Sequence, residues 1–318
     1  MITEQQKKIY NEYVNKDISF DDFVSKANEI YFNLEPEVYD EKHPEISQHE
    51  DKRWNNLASK YFLAERLLQI LDIGSGSGFV ANHVCKNLKK TDTFTFLDVS
   101  EDMLEFCRKR FNGKFVCEID FKKLNGKSLD FPPNSFDIAT MNSVLHHIPD
   151  TEYILKEINR VLKPGGRLII AHEVNMVFFQ HPIVWTNYRI MRMFKNKKNF
   201  LEGISKHFGL TAIYRRFFKN VGQYDDLLEK VNEELMRGNF ITKPLSPAKL
   251  GLLMEVYSSI GFDVPNMASH TRLVLMEKKT YNHLHDDPKS WPGKFYDKIL
   301  SVLFPDAGKN FIAIFQKS

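Results

Sequence analysis

A mostly parallel α/β sheet with helices on both faces is the fold class this sequence predicts, on three observations. From Leu67 onward, short apolar runs alternate with helical stretches, the texture of βα units. One run, LDI at 71–73, passes directly into a glycine-rich turn, GSGSG, and then into a helical pattern. A second run, TFTFLD at 93–98, ends on a carboxylate, Asp98, 20 residues past Gly78.

The first 65 residues precede this alternation. Ile18, Phe20, Phe23 and Val24, then Ala27, Ile30, Tyr31 and Leu34, recur at three and four, so residues 1–65 are expected to form an N-terminal helical cap, with a loop around Pro36 and Pro44. Strands are expected near 68–73, 93–98, 114–119, 136–141 and 167–173, and helices over 78–89, 101–111 and 150–162. After Glu173 the alternation stops. Residues 176–245 read as a helical insertion, far longer than the ~2–6 residues of an ordinary βα connection. At SPAKLGLLMEVYSSIGF a Ser-Pro start, a helical apolar face and the Gly261 stop predict another helix, followed by a strand over 262–270. A polar, Pro-punctuated link from 276, a helix near 294–303 and a buried strand FIAIF at 311–315 complete the main domain, 66–318.

Composition excludes several classes. The chain of 318 residues is 42% hydrophobic and 27% charged, as in ordinary globular proteins, and no run approaches the ~18 apolar residues that cross a bilayer. The opening MITEQQKKIYNEY lacks the apolar run of a secretory signal. Cys85, Cys107 and Cys117 are odd in number and show no CxxC spacing, which points to a reducing cytoplasm and to neither a disulfide framework nor a metal site. Net charge is only +3, yet residues 1–50 carry −7 and residues 189–220 carry +8.

Gly74, Gly76 and Gly78 lack a Cβ, so their backbone can turn sharply and approach a ligand closely. Nucleotide-type cofactors of two kinds use this layout. The glycines run GxGxG, not the GxGxxG that sets a helix N-terminus on a pyrophosphate. Asp72, two residues before Gly74, would repel a pyrophosphate and attract the ammonium of a methionine moiety, while Asp98 is placed to accept from ribose hydroxyls.

That turn, with FPPNSFDIATMNSVLHHIPD (131–150) and ILKEINRVLKPGGRLIIAHE (154–173), resembles the class I S-adenosylmethionine-dependent methyltransferases of the UbiE-like and small-molecule type. The resemblance is close over about 66–175 and looser beyond. It implies a Rossmann-like three-layer sandwich with strand order 3-2-1-4-5-7-6, the seventh strand antiparallel, and S-adenosyl-L-methionine as methyl donor. It further implies that Asp72, Gly74, Ser75, Gly76 and Gly78 hold the methionine part, Asp98 the ribose, and Val99 and Met103 the adenine. Asp120 with Phe121 match the acid and apolar contact that follow the third strand, with Glu118 as the rival acid. Asn142 and Ser143 would line the floor beneath the sulfonium, and Tyr39 resembles a tyrosine folded over the cofactor's carboxylate. Pro164 to Gly166 is a turn, not chemistry.

Methyl transfer from a sulfonium needs donor and acceptor held close and aligned, and a base only when the acceptor must lose a proton. His146 and His147, past the fourth strand at the ligand-binding edge, are candidates for that base. His146 is favoured by resemblance: it lies nine residues after Asp137, similar to the spacing at which plant phenolic O-methyltransferases, distant relatives in fold, carry their base. His172 and Glu173, ending the fifth strand, are expected to orient an acceptor. The basic stretch within the insertion admits three readings: a cap with a solvated face over the pocket, a contact with an anionic membrane surface, or a grip on RNA phosphates. The first fits a small organic acceptor, acidic or apolar, with oxygen methylation ahead of nitrogen or carbon. RNA or a lipid-like acceptor, a nicotinamide-dependent oxidoreductase and a non-catalytic partner subunit are the rivals.

Overall fold

A computed structural model describes residues 2–36, 39–42, 44–195, 222–269, 271–281 and 291–318. Seven strands form one sheet: β1 (Gln69–Ile73), β2 (Thr93–Asp98), β3 (Glu118–Lys123), β4 (Phe136–Asn142), β5 (Leu162–Val174), β6 (Leu273–Tyr281) and β7 (Asn310–Lys317). Their order is β3-β2-β1-β4-β5-β7-β6. The pairs from β3 to β5 are parallel, and β7 runs antiparallel to both β5 and β6. This is the Rossmann-like order that the resemblance implies.

Side-chain alternation along the central strands feeds two separate cores, because successive residues point to opposite faces. Ile70, Phe94, Phe96, Ile138 and Ile169 pack on one face against α4 (Pro44–Tyr61), α5 (Phe79–Val84) and α6 (Glu101–Phe111). Leu71, Ile73, Ala139, Met141 and Ile170 pack on the other against α7 (Thr151–Val161). That second core also takes in α1 (Glu4–Tyr13) and α2 (Phe20–Asn33), together with α10 (Gly222–Arg237) and α11 (Pro247–Met254) from the later part of the chain. Ser19 caps α2 by accepting from the Asp22 N–H at 3.1 Å, and Phe23, Val24, Ala27 and Tyr31 turn its apolar stripe inward. A short α3 (Tyr39–Lys42) precedes α4, and α8 (Met176–Gln180) and α9 (Pro182–Lys195) follow β5. The basic residues Lys197, Lys198, Lys206, Arg215, Arg216 and Lys219 lie outside the described residues.

Three elements differ from expectation. Residues 262–269 are not a strand: Phe262 makes a single bridge to Asn175, and α12 (Val264–Ser269) follows. Pro265 has no N–H to give a ladder and suits a helix's first turn. The strand is instead β6, whose LVLMEKKTY alternates imperfectly because it is a charged sheet edge, a common protection against edge pairing. The third strand begins at Glu118 rather than near 114, again an edge strand with polar residues EIDFKK that hide its period. The helix begun at Pro247 ends at Met254, not before Gly261, since its last carbonyls are taken by tertiary partners: Leu252 O accepts from Gln6, and Met254 O from Asn28 and His147. Downstream, α13 (Trp291–Leu303) leads to β7.

Among the described residues no helix is long and apolar enough to cross a membrane. No group of three His, Cys, Asp or Glu among them converges as a metal site.

Candidate active site

At the carboxyl ends of β1, β2 and β4 lies a cleft of about 1120 Å³, open solvent at its mouth included. Its floor is the glycine turn. Gly74 N–H donates to Leu97 O at 2.7 Å and Gly78 N–H to Ser75 O at 2.9 Å. Gly74 has φ +65°, and a Cβ there would lie 2.5 Å from Val144 Cγ2. Gly78, with φ +82°, begins α5, and its Cβ would lie 2.2 Å from the Phe111 ring of α6. Gly78→Ala is therefore expected to cost about 2–3 kcal/mol through backbone strain and overpacking, read as a lowered urea midpoint with unchanged slope.

Asp98 ends β2 with both oxygens engaged by the backbone. Oδ2 accepts from Gly76 N–H at 2.8 Å and Oδ1 from Ser100 N–H at 2.9 Å, so the acid locks the glycine turn to the start of α6. Burial raises its pKa, opposed by those N–H donors. Asp72 lies beneath the turn, 1% exposed. Thr140 Oγ1 donates to its Oδ1 at 2.7 Å, while Oδ2 is buried without a hydrogen-bond partner. Burial, reinforced by the Asp98 charge, pushes its carboxyl up to about 7 against the Thr140 hydrogen bond. A buried carboxylate oxygen lacking a donor fits a cationic ligand group at this end of the cleft, and would be repelled by a phosphate.

The segment before α4 closes the turn from above. Tyr39 lines the cleft, 4.0 Å from the position of a Cβ on Gly76. Its neighbour Asp40 accepts from Ser77 Oγ at 2.6 Å and from Arg110 at 2.6 Å. Asn142, at the end of β4, accepts from Trp54 Nε1 at 2.8 Å, which fixes its amide, and Ser143 follows at φ +60°. A non-glycine residue held there by its N–H bond to Ala171 O at 2.9 Å is a strained position at a ligand-binding edge.

Of the residues singled out in the sequence, Tyr39, Gly74, Gly76, Asp98, Val99, Asn142, Ser143 and His147 come together in the cleft wall. Asp72, Ser75 and Gly78 form the layer beneath it, where Ser75 Oγ donates to Asp72 O at 2.8 Å. Met103 is fully buried in α6 behind that layer. Asp120 and Phe121 do not reach the wall, because β3 runs on to Lys123: Asp120 accepts from Phe121 N–H at 2.9 Å, and Phe121 stacks on Phe96. Glu118 opens the strand and is exposed. The wall beyond β3 is made by Leu124, Gly126 and Lys127 instead.

The histidines exchange places relative to expectation. His146 is not in the wall; its Nδ1 meets Glu173 Oε2 at 2.9 Å in the interior. His147 is in the wall, with Nδ1 donating to Met254 O at 3.2 Å and Phe32 edge-on to its ring. Glu173 does not face the cleft either. Fully buried, it accepts from Val144 N–H at 2.7 Å and Leu145 N–H at 2.6 Å, and so fastens the turn Leu145–His147 to β5. His172, at a bulge in β5 with φ +57°, turns to α4, its Nδ1 3.4 Å from Glu50. The bulge separates it from Glu173 and takes both off the acceptor side. Asp21, Asp22, Asn28 and Phe32 of α2 also line the cleft. Sequence reasoning missed them because they sit in an ordinary amphipathic pattern, which announces packing and not chemistry.

Residues 71–170 match the family model described as a methyltransferase domain. The ubiquinone/menaquinone biosynthesis C-methyltransferase UbiE of Hydrogenovibrio crunogenus is 32% identical over 102 residues, 32% of this chain and 40% of that protein. The demethylmenaquinone methyltransferase of Listeria welshimeri is 29% identical over 143 residues, 45% of this chain and 60% of that one. The chain thus spans about half the length of these curated relatives. Among solved structures, a SAM dependent methyltransferase from Aquifex aeolicus shares 23% identity over 39% of this chain and 64% of its own, with a TM-score of 0.35.

Proposed function

We infer that this chain, which carries a class I S-adenosylmethionine-dependent methyltransferase domain, moves a methyl group onto a small organic acceptor that gives up a proton, a hydroxyl first among them. The observation that carries the reading is the pair of acids around the glycine turn: Asp98 at the β2 end and Asp72 beneath, the latter with an unpartnered oxygen. The donor supplies a methyl group already activated on a sulfonium and leaves as S-adenosyl-L-homocysteine. Asp98 would hold its ribose hydroxyls, Asp72 and the turn its amino-acid end, and Asn142 and Ser143 the floor.

The acceptor's proton falls to His147. Donation from Nδ1 to the Met254 carbonyl sets the neutral tautomer, so Nε2 is the basic nitrogen. The turn held by Glu173 keeps that ring at the wall. A second reading, methylation at carbon, is favoured by the name of the Hydrogenovibrio crunogenus relative, a C-methyltransferase; where the acceptor's hydroxyl is conjugated to that carbon it uses the same base, since removing the hydroxyl proton pushes electron density onto the carbon. A cytoplasmic setting agrees with three buried, unpaired cysteines.

Binding of S-adenosyl-L-homocysteine, measured by calorimetry beside NAD, tests the assignment: the nucleoside should bind and NAD should not, and binding of NAD alone would overturn it. The same titration carries a pH signature. Asp72, at about 7 in the unliganded protein, must be ionised to meet an ammonium. Affinity is therefore expected to fall by up to about tenfold per pH unit below that value, with proton release on binding, and Asp72→Asn should flatten the profile.

A further inference from the structure

Asn28 is, among the described residues, a cleft-lining side chain that carries a buried oxygen with no hydrogen-bond partner. It is 4% exposed and sits in the middle of α2. Its amide orientation is fixed by its surroundings, because Nδ2 donates to Val24 O at 2.9 Å and to Met254 O at 3.3 Å, both carbonyls that can only accept. Oδ1 is left as a pure acceptor. The Met254 carbonyl that holds Asn28 is the one that holds His147. Two independent chain segments that line the cleft thus hang a buried acceptor oxygen's amide and an imidazole on one atom at the open end of α11.

We propose that Asn28 determines which acceptor is methylated, its Oδ1 receiving a hydrogen bond from a second hydroxyl, distinct from the one that gives its proton to His147, of an uncharged, apolar compound. The charge of the wall argues against an anionic acceptor. Asp21, Asp22 and Asp150 line the same cleft, and Lys127 is engaged by Asp21 at 2.6 Å. The apolar requirement comes from Phe32, which lies edge-on to His147, and from Ile148 and Ile154. A carboxylate or phosphate in the acceptor would meet the Asn28 oxygen and these acids with repulsion, whereas a hydroxyl satisfies an oxygen that otherwise stays unpaired at a cost. The proposal rests on the cleft being the methyltransferase site.

The test uses the full chain saturated with S-adenosyl-L-homocysteine and three probes of one ring system, naphthalene-1,5-diol, its monomethyl ether and 5-hydroxy-1-naphthoate, each of which keeps one hydroxyl for His147, with binding followed by ligand-observed NMR and by tryptophan fluorescence. The diol is expected to bind about tenfold more tightly than its monoether, which lacks the second donor, and the naphthoate more weakly still. Asn28→Ala should erase the gap between diol and monoether while leaving the affinity for S-adenosyl-L-homocysteine unchanged. Equal binding of diol and monoether to the unmodified protein, preference for the naphthoate, a gap that survives Asn28→Ala, or binding of none of the three would each overturn the proposal. The comparison on the unmodified protein stands even where a variant does not fold. Failure of S-adenosyl-L-homocysteine itself to bind sinks the methyltransferase reading instead, so the two failures are read from different titrations.

Discussion

Replacing Asp98 by alanine is expected to weaken S-adenosyl-L-homocysteine binding about a hundredfold, the largest effect of any single change at the cofactor end. Two losses combine. A carboxylate that accepts from ribose hydroxyls makes charge-assisted hydrogen bonds, each worth about 1.5–3 kcal/mol when solvent is excluded. The same side chain holds Gly76 N–H at 2.8 Å and Ser100 N–H at 2.9 Å, so its removal also lets the turn and the start of α6 drift apart before any ligand arrives. Asp98→Asn separates the two, since its amide oxygen still accepts one backbone N–H; a loss of about tenfold is expected there. Folding should suffer less than binding, because a buried carboxylate whose pKa is raised is costly to the empty protein. Calorimetry against urea unfolding distinguishes these. An alanine variant that binds within about threefold of the parent, under 1 kcal/mol, would remove Asp98 from the cofactor site.

The glycine-turn half of the cleft was legible from sequence because its backbone geometry leaves a residue signature. Gly74 and Gly78 combine a positive φ with no room for a Cβ, and Asp98 stands at the end of the next apolar run. The sheet core was legible for a similar reason: LDI, TFTFLD and FDIATM are buried on both faces and read as unbroken apolar runs. Edges were not. β3 and β6 carry Lys, Glu and Asp along their length, so solubility overwrote their period, and Asp120 and Phe121, expected at the cleft, lie within β3 and outside the wall. On the acceptor side the difficulty is one of tertiary choice. Nothing local distinguishes His146 from His147; which of them faces the cleft is decided by where Glu173 and the Met254 carbonyl come to rest. Asn28 is further hidden, a polar residue in a helix whose partner lies 226 residues away.

Glu173→Ala is expected to be the most destabilising change near the site, by about 3–5 kcal/mol, since it leaves His146 and two backbone N–H groups buried without their acceptor. The carboxylate takes Val144 N–H, Leu145 N–H and the His146 ring, and the segment it fastens lies between Asn142 and Ser143 and the proposed base His147, all three in the cleft wall. Cofactor affinity should therefore drop as well, by about tenfold, although Glu173 touches no ligand. Its two duties can be told apart by pH. Burial alone would lower the His146 pKa, but the Glu173 charge and hydrogen bond outweigh it and the net shift is upward. A histidine whose folded pKa lies above its unfolded value of about 6.5 stabilises fully below that pH, and the contribution fades as pH rises through the folded value. The stability gap between the parent and His146→Gln should accordingly be widest near about pH 5.5 and narrow towards about pH 9. Glu173→Gln retains a carbonyl oxygen for the two backbone donors and removes the charge, so it should keep the turn while losing this pH dependence. A gap that widens with rising pH would mean that His146 folds as the neutral ring and that the pair is a hydrogen bond between uncharged histidine and carboxylate.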